Sequence, residues 1–153
     1  MAADRYLFGQ LGITRKRWDD GPGGITNAAG GLFLRPRDMA KIGLLYLREG
    51  DWQGKRIVSS SWVDESTSWL TDASQGIGYG YQWWTMSLEA TGEHPQIGED
   101  EIKFASGAAD QYIFVIPSLD LVVTTTANNT EPPYDRPIVF LRQYIVQAVR
   151  QVE

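Results

Sequence analysis

The hydrophobic pattern changes period once, at Gly76, and this constrains the fold more than any other feature of the chain. Before Gly76 the clearest signal is helical. Met39, Ile42, Gly43, Tyr46 and Leu47 fall at i, i+3, i+4, i+7 and i+8, one apolar stripe on a helix over 36–49. Pro36 suits its first position and Gly50 its stop. A shorter helix is expected at 4–11. Another follows the serines at 59–61, where Ser61 and Asp64 have capping-box spacing. Between these lie a polar, glycine-rich loop at 14–31 and a turn at 51–54. After Gly76, segments 79–86, 102–107, 111–116 and 121–126 are β-branched and aromatic and predict strands. Pro117 to Asp120 links the last two tightly enough for an antiparallel hairpin. The chain closes on a long helix from Pro137 to about Val152, with Ile138, Leu141, Ile145, Ala148, Val149 and Val152 as its apolar face.

These elements predict an α+β fold: helices and loops, then a small antiparallel sheet of three or four strands with the C-terminal helix packed on it. The whole of 1–153 forms a single unit, with a helical and loop part at 1–75 and the strands plus helix at 76–153.

A length of 153 residues, with 42% apolar and 22% charged residues, supports one packed core and argues against disorder. The net charge of −5 offers no basic field, so neither nucleic acid nor an anionic membrane is an expected partner. No apolar stretch approaches the length of a membrane span, so no membrane insertion is expected. Without cysteine there is neither a disulfide framework nor a thiolate site. The N-terminus, Met1 to Tyr6, lacks the basic and apolar regions of an export signal, so the chain as it stands reads as cytoplasmic.

The residues offer few sites for chemistry. The one histidine, His94, sits in a polar loop beside Pro95 and reads as solvated. Glu99, Asp100 and Glu101 read as a solvated acidic turn rather than a cation site. Neither supports a metal or cofactor, and none is expected. The glycines of Gly76 to Gly80 precede a strand rather than a helix. They suit close backbone approach at an edge strand, not a phosphate cradle. Trp83 and Trp84 send their rings to opposite faces of a strand; one could line a cleft, and core packing is expected of at least one. The small residues of Phe104 to Gln111 fit a tight turn, or a place where a substrate backbone or an oxyanion comes close.

Several stretches together resemble one family. They are Tyr6 to Ile13, Gly30 to Gly43 continuing to Trp52, Gly78 to Trp84, and Ala105-Ser106-Gly107 through Gln111 to Pro117 and Asp120 to Val123. Their order and spacing resemble the C-terminal half of the serine β-lactamase-like hydrolases, which include class C β-lactamases, penicillin-binding-protein-like peptidases and related esterases. The resemblance implies a partial β-lactamase/transpeptidase-like fold. It also implies three motifs: a Ser-x-x-Lys nucleophile and base, a Tyr-x-Asn that assists proton transfer, and a Lys-Thr-Gly or variant on a strand beside the substrate.

Three residues before Lys16, Lys41, Lys55 and Lys103 stand Ile13, Asp38, Trp52 and Asp100, so there is no Ser-x-x-Lys. Two residues before Asn27, Asn128 and Asn129 stand Ile25, Thr126 and Ala127, so there is no Tyr-x-Asn. The third motif alone has a counterpart. The resemblance assigns Ala105 to its basic position, Ser106 to the hydroxyl, Gly107 to the glycine and Ala108 to the oxyanion-binding N–H. Ser106, Gly107 and Ala108 are therefore the candidate catalytic remnant, and Tyr81, Trp83, Ala105 and Gln111 the candidate substrate-binding residues. Asp110 places a negative charge near this remnant.

The expected function is the C-terminal portion of such a hydrolase, acting on a β-lactam, peptide or ester, without the nucleophile and inactive alone. Two alternatives are a complete hydrolase using Ser106 as nucleophile and a non-catalytic binding or self-associating module. The resemblance further implies an open sheet edge where the absent half would pair. The expected partners are that half or a second copy, joined by edge pairing or by exchange of a terminal helix. Full-length relatives are often periplasmic or secreted.

Overall fold

The computed structural model describes residues 2–74, 76–88, 100–133 and 135–151. Six strands form one antiparallel meander, each paired with its neighbours in sequence: β5 (Thr71–Ser74), β6 (Ile77–Tyr79), β7 (Trp84–Ser87), β8 (Glu101–Gly107), β9 (Gln111–Ile116) and β10 (Leu121–Thr125). β5 and β10 are the two edges. The sheet is larger than the three or four strands expected, for two reasons. The polar segment 71–74 carries no apolar alternation, yet it pairs with β6. The aromatic stretch 79–86 is also not one strand, because Gln82 takes a left-handed φ of 65° and turns the chain between β6 and β7. The sheet therefore reaches across residue 75 into the part expected to hold only helices and loops, and β6 is an inner strand rather than an edge.

Each sheet face is covered by a helix, because inward and outward residues alternate along the strands. On one face, Ile102, Phe104, Tyr112, Phe114 and Ile116 pack with Leu141 and Val146 of the C-terminal helix. On the other, Ile113, Val115 and Trp83 meet Met39 of α1 (Pro36–Leu47). Trp84 packs instead on Phe104, so the two tryptophans do point to opposite faces. Gly43 brings α1 close to the sheet. A methyl there would lie 2.6 Å from Val122 Cγ1 and 2.9 Å from Ile113 Cγ2.

α1 begins at Pro36 as expected and stops earlier, through a Schellman turn. Glu49 takes φ 51° and donates to the Tyr46 carbonyl, and Gly50 donates to Leu45 O at 2.7 Å. α2 (Ser60–Thr67) is capped by Ser59 rather than Ser61. The Ser59 hydroxyl accepts from the Trp62 N–H at 3.2 Å, and Ser61 lies within the helix.

The C-terminal helix is continuous through α3 (Arg136–Phe140), a π-helical turn (Leu141–Ile145) and α4 (Val146–Arg150). The wider turn inserts one residue, so the buried positions run from Leu141 to Val146, five apart. This removes Ala148 from the expected apolar face and leaves it exposed. Val152 lies outside the described residues.

The N-terminal segment builds a separate cluster of Phe8, Leu11, Ile13 and Leu45. The glycine-rich loop expected at 14–31 contains β1 (Lys16–Trp18), which pairs with β2 (Leu32–Leu34). The turn at 51–54 is the tip of a small hairpin, β3 (Asp51–Trp52) with β4 (Lys55–Arg56). Gln53 and Gly54 both have positive φ there, as a two-residue hairpin loop requires. Among the described residues, no helix is long and apolar enough to cross a membrane.

Candidate functional site

The candidate residues gather at one end of the sheet because the β8–β9 hairpin turns there. Ala105, Ser106 and Gly107 pair with Ile113, Tyr112 and Gln111 of β9. On the other side, β7 pairs with β8 only as far as Trp84 opposite Phe104. The chain before β7 peels away from β8. Gly80 N–H donates to Trp83 O at 2.8 Å, closing a turn, and Tyr81 N–H donates to Ser66 O of α2 at 2.9 Å. Gly80 is required here, because a Cβ would overlap the Ser66 carbonyl. Tyr81 then stacks on Trp62 with ring centroids 5.3 Å apart. Among the described residues, Ala105 to Gly107 have no strand partner on the β7 side, so the main chain of β8 is open there.

Ser106, Gly107 and Ala108 are exposed on this rim. Ser106 Oγ makes no hydrogen bond to another described residue. The turn Ala108 to Asp110 is tight: Ala109 and Asp110 take φ 59° and 68°. Gln111 Nε2 supports it by donating to Ala109 O at 3.0 Å and to the Ala127 carbonyl. Asp110 is 3% exposed. Its Oδ2 accepts from Asn129 Nδ2 at 2.7 Å, and its carbonyl accepts from Thr125 Oγ1 at 3.2 Å. Its buried carboxylate is thus engaged by the half-buried Asn129.

The proposed substrate-binding residues divide. Tyr81 is 50% exposed beside the rim. Trp83 is 5% exposed and lies in the core, its ring 4.2 Å from that of Tyr46. Ala105 packs partly against the same cluster. Gln111 holds the hairpin turn. Trp62 is the surface aromatic that the sequence reading missed. Its only signal was a large apolar residue beside the serines that start α2.

His94 and Glu99 lie outside the described residues. Asp100 faces Arg150 at 3.7 Å, and Glu101 lies 3.9 Å from Lys103 Nζ. Among the described residues, no group of three acidic or histidine side chains is placed to hold a metal ion. A pocket of about 410 Å³ at the C-terminal end of α1, lined by Leu44, Arg48 and Trp52 among others, contains none of the candidate residues.

This architecture defines a fold class. No family model and no curated protein matches the chain. Solved structures do. A protein from Bacillus anthracis named as a 6-aminohexanoate-dimer hydrolase superposes with a TM-score of 0.74 at 22% identity, over 98% of this chain and 38% of its own. An octameric penicillin-binding protein homologue from Pyrococcus abyssi gives 0.67 at 16% identity, over 94% and 36%. A class C β-lactamase mutant gives 0.61 at 12% identity, over 96% and 51%. The chain therefore carries part of the β-lactamase and penicillin-binding-protein type of fold, as the resemblance implied. It spans about a third to a half of the structures it matches.

Proposed function

We propose that this chain forms the substrate-side wall of a serine acyl-transfer site and is inactive alone. The observation that carries this reading is the main chain at Ala105 to Gly107, which among the described residues has no strand partner where β7 departs from β8. An extended substrate can add to such a strand by main-chain hydrogen bonds. The adjoining Ala108 N–H is the candidate donor to an oxyanion. The chain has no Ser-x-x-Lys and no Tyr-x-Asn, so the attacking group and its base must come from another segment. The reading in which Ser106 is itself the nucleophile is disfavoured, because no described lysine, histidine or carboxylate bonds its hydroxyl. The names of the fold neighbours suggest a β-lactam or an amide as substrate, and an ester belongs to the same chemistry. The exposed Trp62–Tyr81 pair favours a second reading, a non-catalytic binding module.

The isolated chain, treated with nitrocefin, p-nitrophenyl esters and a fluorophosphonate probe, is expected to show no turnover and no labelled serine. A covalent adduct on any serine would refute inactivity. Mixing it with a polypeptide that bears the two missing motifs should restore turnover. Ala108→Pro, which removes the N–H, should then lower turnover by about a hundredfold or more. Restored turnover that is indifferent to Ala108→Pro would refute the assigned wall.

A further inference from the structure

The chain leaving β10 is fastened to the β8–β9 turn by side chains rather than by a ladder. The β9–β10 pairing ends at Tyr112 opposite Thr125, and the β8–β9 pairing ends at Gly107 opposite Gln111. Beyond those points three side-chain hydrogen bonds join the two segments. Thr125 Oγ1 donates to Asp110 O at 3.2 Å, Gln111 Nε2 to the Ala127 carbonyl, and Asn129 Nδ2 to Asp110 Oδ2 at 2.7 Å. The turn needs such support. Ala109 and Asp110 hold left-handed φ of 59° and 68°. Asp tolerates that region better than Ala does, and a strained backbone persists only where its surroundings over-determine it. Asp110 is also buried, and a carboxylate taken out of water is costly unless donors meet it. Among the described residues, Asn129 is the side chain that donates to that carboxylate.

We propose that Asn129 is a positioning residue for the oxyanion donor, a role that rests on the wall assigned above. It acts through Asp110. The Ala108 N–H is useful only if it is held in one direction before charge develops. On one side of Ala108, Gly107 is fixed by its pairing with Gln111. On the other side stand the two left-handed residues, and the Asp110–Asn129 bond ties them to a segment 19 residues further along the chain. Gln111 holds the same turn from within, by its bond to Ala109 O at 3.0 Å. Without Asn129 the buried carboxylate loses its side-chain donor, and the turn is free to relax toward solvent. The donor then loses its fixed direction while the strands on either side keep their pairing.

Backbone 15N relaxation of the isolated chain reads the turn directly. In the unmodified chain, order parameters at 108–110 should match the adjoining strands at about 0.85, and values below about 0.6 would overturn the proposal even if the variants fail to fold. Asn129→Asp sets two carboxylates against each other and should bring the turn below about 0.6 with the strands unchanged. Asp110→Asn keeps an acceptor and the tolerance for a left-handed φ, so it should leave the turn rigid. The double variant, Asp110→Asn with Asn129→Asp, exchanges donor and acceptor and should restore rigidity. A turn that stays rigid in Asn129→Asp, or that the double variant fails to restore, would overturn the proposal. In mixtures with a polypeptide bearing the two missing motifs, assayed with nitrocefin and p-nitrophenyl esters, Asn129→Asp should lower kcat by about tenfold with KM little changed, and the double variant should recover it. A kcat that falls with Ala108→Pro but not with Asn129→Asp would overturn this role and leave the wall standing. A kcat indifferent to Ala108→Pro, whatever Asn129→Asp does, would refute the wall itself.

Discussion

Gly43→Ala tests whether α1 is pressed onto the sheet as closely as described. The added methyl would stand 2.6 Å from Val122 Cγ1 and 2.9 Å from Ile113 Cγ2, about 1 Å inside normal carbon contact. Both neighbours are side chains rooted in strands, so relief requires rotamer changes or a shift of α1. Such overpacking costs about 1–3 kcal/mol. Replacing glycine within a helix returns just under about 1 kcal/mol. The net expectation is a loss of up to about 2 kcal/mol, or a fall in Tm of up to roughly 8 °C for a chain of this size. Gly30→Ala is the control, because nothing lies within 4 Å of its would-be Cβ and its φ is not left-handed. Val122→Ala removes the nearer clash, so the double variant should be more stable than the sum of the singles by about 1 kcal/mol or more. Urea denaturation of the four variants supplies the cycle. Equal stability of Gly43→Ala and Gly30→Ala, or strict additivity with Val122→Ala, would refute this packing.

Three further outcomes are expected. Gly50→Ala combines a φ of 86° with overlap of the Val58 carbonyl and should lose about 3 kcal/mol by the same assay. Asp38 is buried, and burial pushes its carboxyl pKa up. Hydrogen bonds and charge from Lys41 and Arg35 outweigh that and hold it below the usual value. Its stabilisation is therefore complete above the unfolded pKa of about 4 and lost as pH falls through the lower folded value. Asp38→Ala should cost about 2 kcal/mol at pH 7 and show a shallower loss of stability in acid. For Glu101, burial raises the pKa against the opposing charge of Lys103. Stabilisation by its protonated form is full below about pH 4 and lost as pH rises through the raised value. Glu101→Gln should therefore raise Tm at pH 7 and leave it unchanged below about pH 4, and a gain independent of pH would contradict this.

Much of the fold was legible where local pattern and tertiary demand agree. The start of α1 and the β9–β10 hairpin follow directly from Pro36, the apolar stripe and the β-branched runs. β5 was hidden because an edge strand need not be hydrophobic, and Thr71 to Ser74 carry no alternation. The split between β6 and β7 was hidden because aromatic residues continue through a turn that Gln82 makes with a left-handed φ. The face of the C-terminal helix was misread after Ile145 because a π-helical turn breaks the 3.6-residue period. At the candidate site, the position of the Ser106 turn was visible in the run of small residues. The burial of Trp83 was not, because an aromatic residue next to another gives no sign of which ring meets α1. The inward turn of Asp110 depends on Asn129, which is distant in sequence and carries no motif.

The sequential pairing of the sheet has a kinetic consequence. Apart from β7 and β8, which 13 residues separate, each strand meets its neighbour across a short span of chain, so most ladders from β5 to β10 close a small loop, and little entropy is lost before pairing rewards it. Zipping can start at the tight β9–β10 link and spread strand by strand. The docking of α1 joins more distant residues and belongs to a later event. A folding transition state organised around Phe114 and Val123, with Gly43 still loose, is the signature of that order.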